Sequence, residues 1–156
     1  ETFVLPKAKV LESSAKVPGA DGQKMSKSYG NTIEIFEDTK KQRKQIMRMP
    51  TDSRPMEDAK DPDTDHLYQL FSLFAPDEER EEMAAMYRRG GFGYGDVKKS
   101  LAEAAENFFG EARERRQELE ANPKKVMEIL GDGASRARKK AGDVLHRAQQ
   151  ACGLKR

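Results

Sequence analysis

Asp96-Val97-Lys98-Lys99-Ser100-Leu101-Ala102-Glu103-Ala104-Ala105-Glu106-Asn107-Phe108-Phe109 opens the longest periodic run in a chain of 156 residues. Val97, Leu101, Ala104/Ala105, Phe108, Ala112 and Leu119 recur at helical spacing and predict one helix from Asp96 to Ala121. Asn122-Pro123 should end it, because the residue before a proline avoids the α region. The same pair should start a short following helix, with Asn122 as cap and Pro123 in the first turn. A last helix is expected from about Gly133 to Cys152, burying Ala134, Ala137, Ala141, Val144/Leu145 and Ala148 and stopping at Gly153. Toward the N-terminus the pattern repeats. Pro76 opens a helix to about Arg89, a short apolar helix carries Leu67, Leu70, Phe71 and Phe74, and Asp38-Thr39 caps a basic helix to about Met49. Pro50–Asp65, with three prolines and six acids, reads as a linker. Only Thr2-Phe3-Val4-Leu5, stopped by Pro6, reads as a strand. The fold is therefore expected to be mainly α.

Composition agrees with a solvated helical protein. Hydrophobic residues make up 36%, below the usual ~45–50%, and charged residues 36%, above the usual ~25%. The formal net charge is only +2, so any polyanion partner must be recognised by the distribution of charge. No run of ~18 apolar residues offers a membrane span. The single cysteine, Cys152, excludes an internal disulfide framework and a multi-cysteine zinc site, which suits a reducing compartment. The first residue is Glu1 rather than Met, which suggests a piece of a longer protein.

The stretch with most chemical content is Gly22-Gln23-Lys24-Met25-Ser26-Lys27-Ser28. Two ammonium groups, two hydroxyls and several backbone N–H groups in a glycine-flanked loop can face a polyphosphate. Phosphoryl and nucleotidyl transfer need positive charge where negative charge develops on the leaving oxygens. Other features carry less. Gly90, Gly91, Gly93 and Gly95 do not make G-x-G-x-x-G, since position 96 is Asp, and read as a turn between helices. The acids between Glu57 and Asp65 lack the calcium-loop pattern and read as solvated linker. His66 and His146 read as core or surface residues, and Phe71, Phe74, Phe108 and Phe109 as core.

Lys24-Met25-Ser26-Lys27-Ser28 is identical, letter for letter, to the signature loop of class I aminoacyl-tRNA synthetases. Pro18-Gly19-Ala20-Asp21-Gly22-Gln23 before it, Tyr29-Gly30-Asn31-Thr32-Ile33 behind it, Thr51-Asp52-Ser53-Arg54-Pro55, and Gly93-Tyr94-Gly95 followed by Lys98 resemble bacterial-type tryptophanyl-tRNA synthetases, over essentially the whole chain. The resemblance implies residues 1–36 as the end of a Rossmann-type catalytic domain, with its last strand and the signature loop. It implies residues 37–156 as an α-helical anticodon-binding domain. Neither histidine fits the upstream H-x-G-H motif of such enzymes, so the C-terminal part of the enzyme is expected. The resemblance further implies a tryptophan–tRNA ligase that is a cytoplasmic homodimer, uses ATP with Mg2+, and takes tryptophan and tRNA(Trp). Lys24 and Lys27 would be catalytic, Lys24, Met25, Ser26, Lys27 and Ser28 would bind ATP, and no resident metal is expected. A tyrosyl-type synthetase fragment and a stand-alone helical RNA-binding module remain as alternatives.

Charge distribution adds one element. Residues 131–156 hold seven basic groups against two acids. Arg136, Lys139, Lys140 and Arg147 lie in this stretch and are the expected tRNA-phosphate contacts. Arg136, Lys140 and Arg147 share one face with Asp143, opposite the alanine stripe.

Overall fold

The structure, a computed structural model, describes residues 2–11 and 15–154. Glu12, Ser13 and Ser14 of the expected N-terminal segment, with Glu1, and the basic Lys155 and Arg156 lie outside the described residues. Among the described residues five α-helices follow in order: α1 Thr39–Met47, α2 His66–Phe71, α3 Asp77–Arg89, α4 Tyr94–Glu120 and α5 Pro123–Ala151. Short 3-10 turns occupy Lys27–Tyr29 and Pro62–Thr64. The chain divides into two units, one of Val10–Arg113 and one of Glu1–Lys9 with Glu114–Arg156.

Local chemistry marks the helix starts. Asp38 accepts from the N–H groups of Lys40 and Lys41 at 3.0 and 3.2 Å, opening α1. Asp65 does the same for Leu67 and Tyr68 at 2.9 and 3.2 Å, opening α2. Asp61 caps the 3-10 turn through Asp63 N–H at 3.1 Å. Two of the linker acids are therefore caps. α3 starts after Pro76 with Asp77, Glu78 and Glu79 in its first turn and Arg88 and Arg89 in its last, both favourable to the helix dipole.

The larger unit is built around Ile46, Leu67, Leu70, Phe71, Tyr87, Val97 and Leu101, contributed by α1 to α4. Phe71 is buried. Phe74 and Phe109 pack at its margin with ring centroids 5.3 Å apart, while Phe108 stays largely exposed against Phe74. Arg113 ties α4 to α1 and the segment before it, donating through Nε to Ile35 O at 2.9 Å and through its terminal nitrogen to Gln42 Oε1 at 2.6 Å.

Three expectations are corrected. Thr2–Leu5 forms no strand, and Phe3, Val4 and Leu5 are exposed. Among the described residues the only β pairing is a single antiparallel bridge between Pro18 and Lys24. β-propensity forms a strand only where a neighbour supplies the ladder. The two expected C-terminal helices are one, α5. Gly131 and Gly133 weaken a helix by only about 1 kcal/mol each relative to Ala, whereas a second helix needs a new, unfavourable nucleus. Ser135 Oγ also donates to Gly131 O at 3.0 Å across this turn. Finally, α5 buries none of its residues, so the alanine stripe does not form a core here.

Candidate functional site

The Lys24–Ser28 segment sits on a compact loop of the larger unit. Its base is a pair of backbone hydrogen bonds, Gly19 N–H to Gln23 O at 2.7 Å and Met25 N–H to Val17 O at 2.8 Å. Gly22 turns the loop at φ +79°, in the left-handed region that favours glycine. A Cβ there would press on the His66 ring at 3.3 Å, so the first residue of α2 lies directly under the turn. Ser26 Oγ accepts from Ser28 N–H at 3.2 Å and caps the 3-10 turn Lys27–Tyr29, which Gly30 ends.

Asn31 locks these parts together. It is only 3% exposed. Its Oδ1 accepts from Ser26 N–H at 2.8 Å, and its Nδ2 donates to Asp21 Oδ1 at 2.7 Å and to Lys24 O at 3.1 Å. Its own carbonyl accepts from Ala20 N–H at 2.8 Å. A Cβ on Gly19 would lie 2.5 Å from the Asn31 amide, so only glycine lets the two segments approach this closely. The Asn31 amide, helped by Gln23 N–H, holds the Asp21 carboxyl below its ordinary range against the opposing effect of desolvation. Beyond Asn31 the chain is fixed to α1, with Gln45 Nε2 on Thr32 O at 2.8 Å and Gln42 Nε2 on Glu34 O at 3.0 Å.

Lys24, Lys27 and Ser28 are exposed. Neither lysine makes an ion pair among the described residues. The N–H groups of Met25, Ser26 and Ser28 are already engaged inside the loop. The outward polar chemistry is therefore carried mainly by ammonium and hydroxyl groups. Met25 faces the other way. It lines an apolar cavity of about 200 Å3 with Val17, Ile33, Ile46, Leu70 and Phe109. The loop thus rests on the core through Met25 and presents charge to solvent.

A second constellation joins the Thr51–Pro55 segment to the glycine-rich turn. Arg54 pairs with Asp52 through both its guanidinium and its backbone N–H. Partial burial works to raise the Asp52 carboxyl, but these bonds outweigh it and the net effect is a lowering. The phenol of Tyr94 is pushed up by burial and by the same Asp52. Lys98, on the first turns of α4, donates to Met49 O at 2.6 Å and Met47 O at 3.3 Å, closing the C-terminal end of α1. Desolvation lowers its pKa.

Lys24, Met25, Ser26, Lys27 and Ser28 come together in this one loop. Arg136, Lys139, Lys140 and Arg147 lie on α5, in the other unit, and all four are exposed. Arg136 is paired with Asp132 at 3.0 Å. From sequence, Asn31 and Asp21 read only as turn formers and His66 as a core or surface residue. The Asn three residues past the signature is the available signal, since Asn can accept one backbone bond and donate two others.

The chain belongs to the tRNA synthetases class I (W and Y), whose family model matches residues 2–110. A tryptophan–tRNA ligase of Rhodopirellula baltica is 61% identical over 155 residues, covering 99% of this chain and 48% of that protein. The tryptophan–tRNA ligase of Fusobacterium nucleatum is 42% identical, over 99% of this chain and 47% of that protein. A crystal structure of tryptophanyl-tRNA synthetase from Campylobacter jejuni, complexed with ADP and tryptophan, superposes with a TM-score of 0.79 at 41% identity, over 97% of this chain and 48% of that one. The chain spans about half the length of the curated relatives it matches. Among the described residues no helix is long and apolar enough to cross a membrane.

Proposed function

We propose that the chain is the signature-loop and helical portion of a tryptophan–tRNA ligase. Residues 1–36 end a class I catalytic domain, and residues 37–156 form a helical anticodon-binding domain. The complete enzyme works as a cytoplasmic homodimer. The tryptophan carboxylate attacks the α-phosphate of ATP, which enters with Mg2+, and pyrophosphate leaves. The 3′-terminal ribose of tRNA(Trp) then takes the aminoacyl group. Lys24 and Lys27 meet the charge that develops on the departing pyrophosphate. Ser26 and Ser28 orient phosphate oxygens, and Met25 seats the loop. Arg136, Lys139, Lys140 and Arg147 meet tRNA phosphates.

The observation that carries this reading is the pair of exposed lysines, free of ion pairs among the described residues, on a loop with a fixed backbone. Fixed charge placed ahead of the reaction needs little reorganisation when the transition state forms. The name shared by the relatives supports tryptophan over tyrosine and over a non-catalytic RNA-binding module.

The test is Lys27→Ala in the full-length enzyme, followed by tryptophan-dependent ATP–pyrophosphate exchange. A charge used mainly in the transition state lowers kcat far more than it raises the KM for tryptophan. The expected loss is roughly 10²–10³-fold in kcat. An unchanged kcat with weakened tryptophan binding removes Lys27 from this role.

A further inference from the structure

We propose that Asn31 is a positioning residue for adenylate formation, setting the spacing of the Lys24 and Lys27 ammonium groups by clamping the backbone on both sides of Met25. This rests on the reading of those lysines as the pyrophosphate-handling pair.

One buried carboxamide holds Lys24 O at 3.1 Å and Ser26 N–H at 2.8 Å. These two groups flank the peptide units that lead to Lys24 on one side and to Lys27 on the other. The third bond, to Asp21 Oδ1 at 2.7 Å, anchors the carboxamide to the opposite arm of the loop. Asp21 also accepts from Gln23 N–H at 2.9 Å, so the carboxylate itself is held. Gly19, whose missing side chain leaves room for the Asn31 amide, completes the seat. No other residue type of this size offers one acceptor and two donors in a plane apart from the longer Gln. Aspartate would keep the bond to Ser26 but set a carboxylate against Asp21 and against the Lys24 carbonyl. Purely structural support would affect folding stability and all kinetic parameters alike. Positioning of a charge that acts in the transition state affects kcat selectively.

The experiment uses the full-length enzyme and compares Asn31→Asp, Asp21→Asn and the double variant with Lys27→Ala. The exchanged pair restores the bond between positions 21 and 31 with donor and acceptor reversed, but it leaves the Lys24 carbonyl facing a carboxylate without a donor. Pyrophosphate exchange is measured well below each variant's unfolding temperature. Asn31→Asp is expected to lower kcat roughly ten- to hundredfold, with the tryptophan KM within about twofold. The double variant should relieve only the repulsion at position 21 and stay well below the unsubstituted enzyme, because Lys24 O still lacks its donor. An unchanged kcat in Asn31→Asp, or full activity in the double variant, whose Lys24 O has no donor, overturns the proposal while Lys27→Ala remains slow. If Lys27→Ala itself leaves kcat unchanged, the underlying reading of the loop fails instead. Should Asn31→Asp not fold, Asp21→Ala carries the test from the exposed end of the same bond. A several-fold fall in kcat supports positioning, and an unchanged kcat overturns it.

Discussion

At the scale of single residues, two buried polar groups hold the larger unit together in ways that hydrophobic patterning does not reveal. Lys60 is 3% exposed, and its ammonium group donates to Pro55 O at 2.9 Å and Asp58 O at 3.0 Å. The same group lies 4.5 Å from the Phe92 ring centroid and 5.6 Å from that of Tyr94. It therefore clips the Pro55–Lys60 turn onto the glycine-rich segment. Lys60→Met keeps the volume but leaves those carbonyls without their donor. It should cost roughly 2–4 kcal/mol of stability, read as a lower denaturation midpoint in urea. Tyr87 is fully buried and donates to Asp65 Oδ1 at 3.0 Å. Burial, reinforced by the Asp65 charge, raises the Tyr87 pKa well above that of a free phenol. Above pH ~10 the unfolded chain releases this proton and the folded chain retains it. Stability is accordingly present below pH ~10 and falls above it, by up to about 1.4 kcal/mol per pH unit for this group. Tyr87→Phe should be less stable at neutral pH and should show a shallower alkaline decline, measured by thermal unfolding at pH values of about 9, 10 and 11. A decline of equal slope in the variant would assign the alkaline effect to other groups.

At the scale of elements, the contrast between α4 and α5 decides how evenly the helices are held. The first half of α4 is locked into the core by Val97, Leu101, Ala102, Ala104 and Ala105. α5 has 29 residues, no buried side chain and three internal glycines, so it depends on its Asn122 cap, its ladder and local pairs. Amide hydrogens of residues 130–148 should exchange far faster than those of residues 97–105. Equal protection would mean that the apolar face of α5 is covered in solution. This contrast also measures what the sequence makes legible. The cap Asp38, the proline at Pro123 and the period of α4 are local signals, and local signals place helices well, whereas Asp65, read as a linker acid, proves to be the cap of α2. Thr2–Leu5 has the composition of a strand and the α5 alanines have the spacing of a core stripe. Each needs a partner surface that no single-sequence pattern reports. The signature loop is legible as a glycine-bounded loop that carries Lys24 and Lys27 on its surface. Its scaffold is not, because Gly19, Asp21, Asn31 and His66 meet through turns in which neighbours in space are distant in sequence.

At the scale of the whole molecule, the proposed function separates two jobs between the two units, and each job has its own test. In the proposed function, handling of pyrophosphate falls to the loop. The 156-residue chain by itself should show no tryptophan-dependent pyrophosphate exchange above background, because neither His66 nor His146 stands in an H-x-G-H motif and the chain spans about half the length of its curated relatives. In the same proposal, binding of RNA phosphates falls to α5. Lys139, Lys140 and Arg147 are exposed and make no ion pair among the described residues, whereas Arg136 is already paired with Asp132. Lys140 and Arg147, two turns apart on one face, are therefore the sharper targets. Bonds to phosphate supply affinity with little sequence information, and their strength falls as salt replaces the released counterions. Lys140→Glu with Arg147→Glu in the full-length enzyme should weaken tRNA binding at low salt. It should also flatten the plot of log affinity against log salt, by just under about one for each phosphate that is no longer neutralised. Helix content should stay the same, since neither side chain is buried. If affinity and salt slope are both unchanged, this stripe is an ordinary solvated face. The basic side chains Lys41 and Lys44 of α1 and Arg48 at its end, which line a cleft of about 350 Å3 with Ala20, ahead of the signature loop, then become the surface to reverse next.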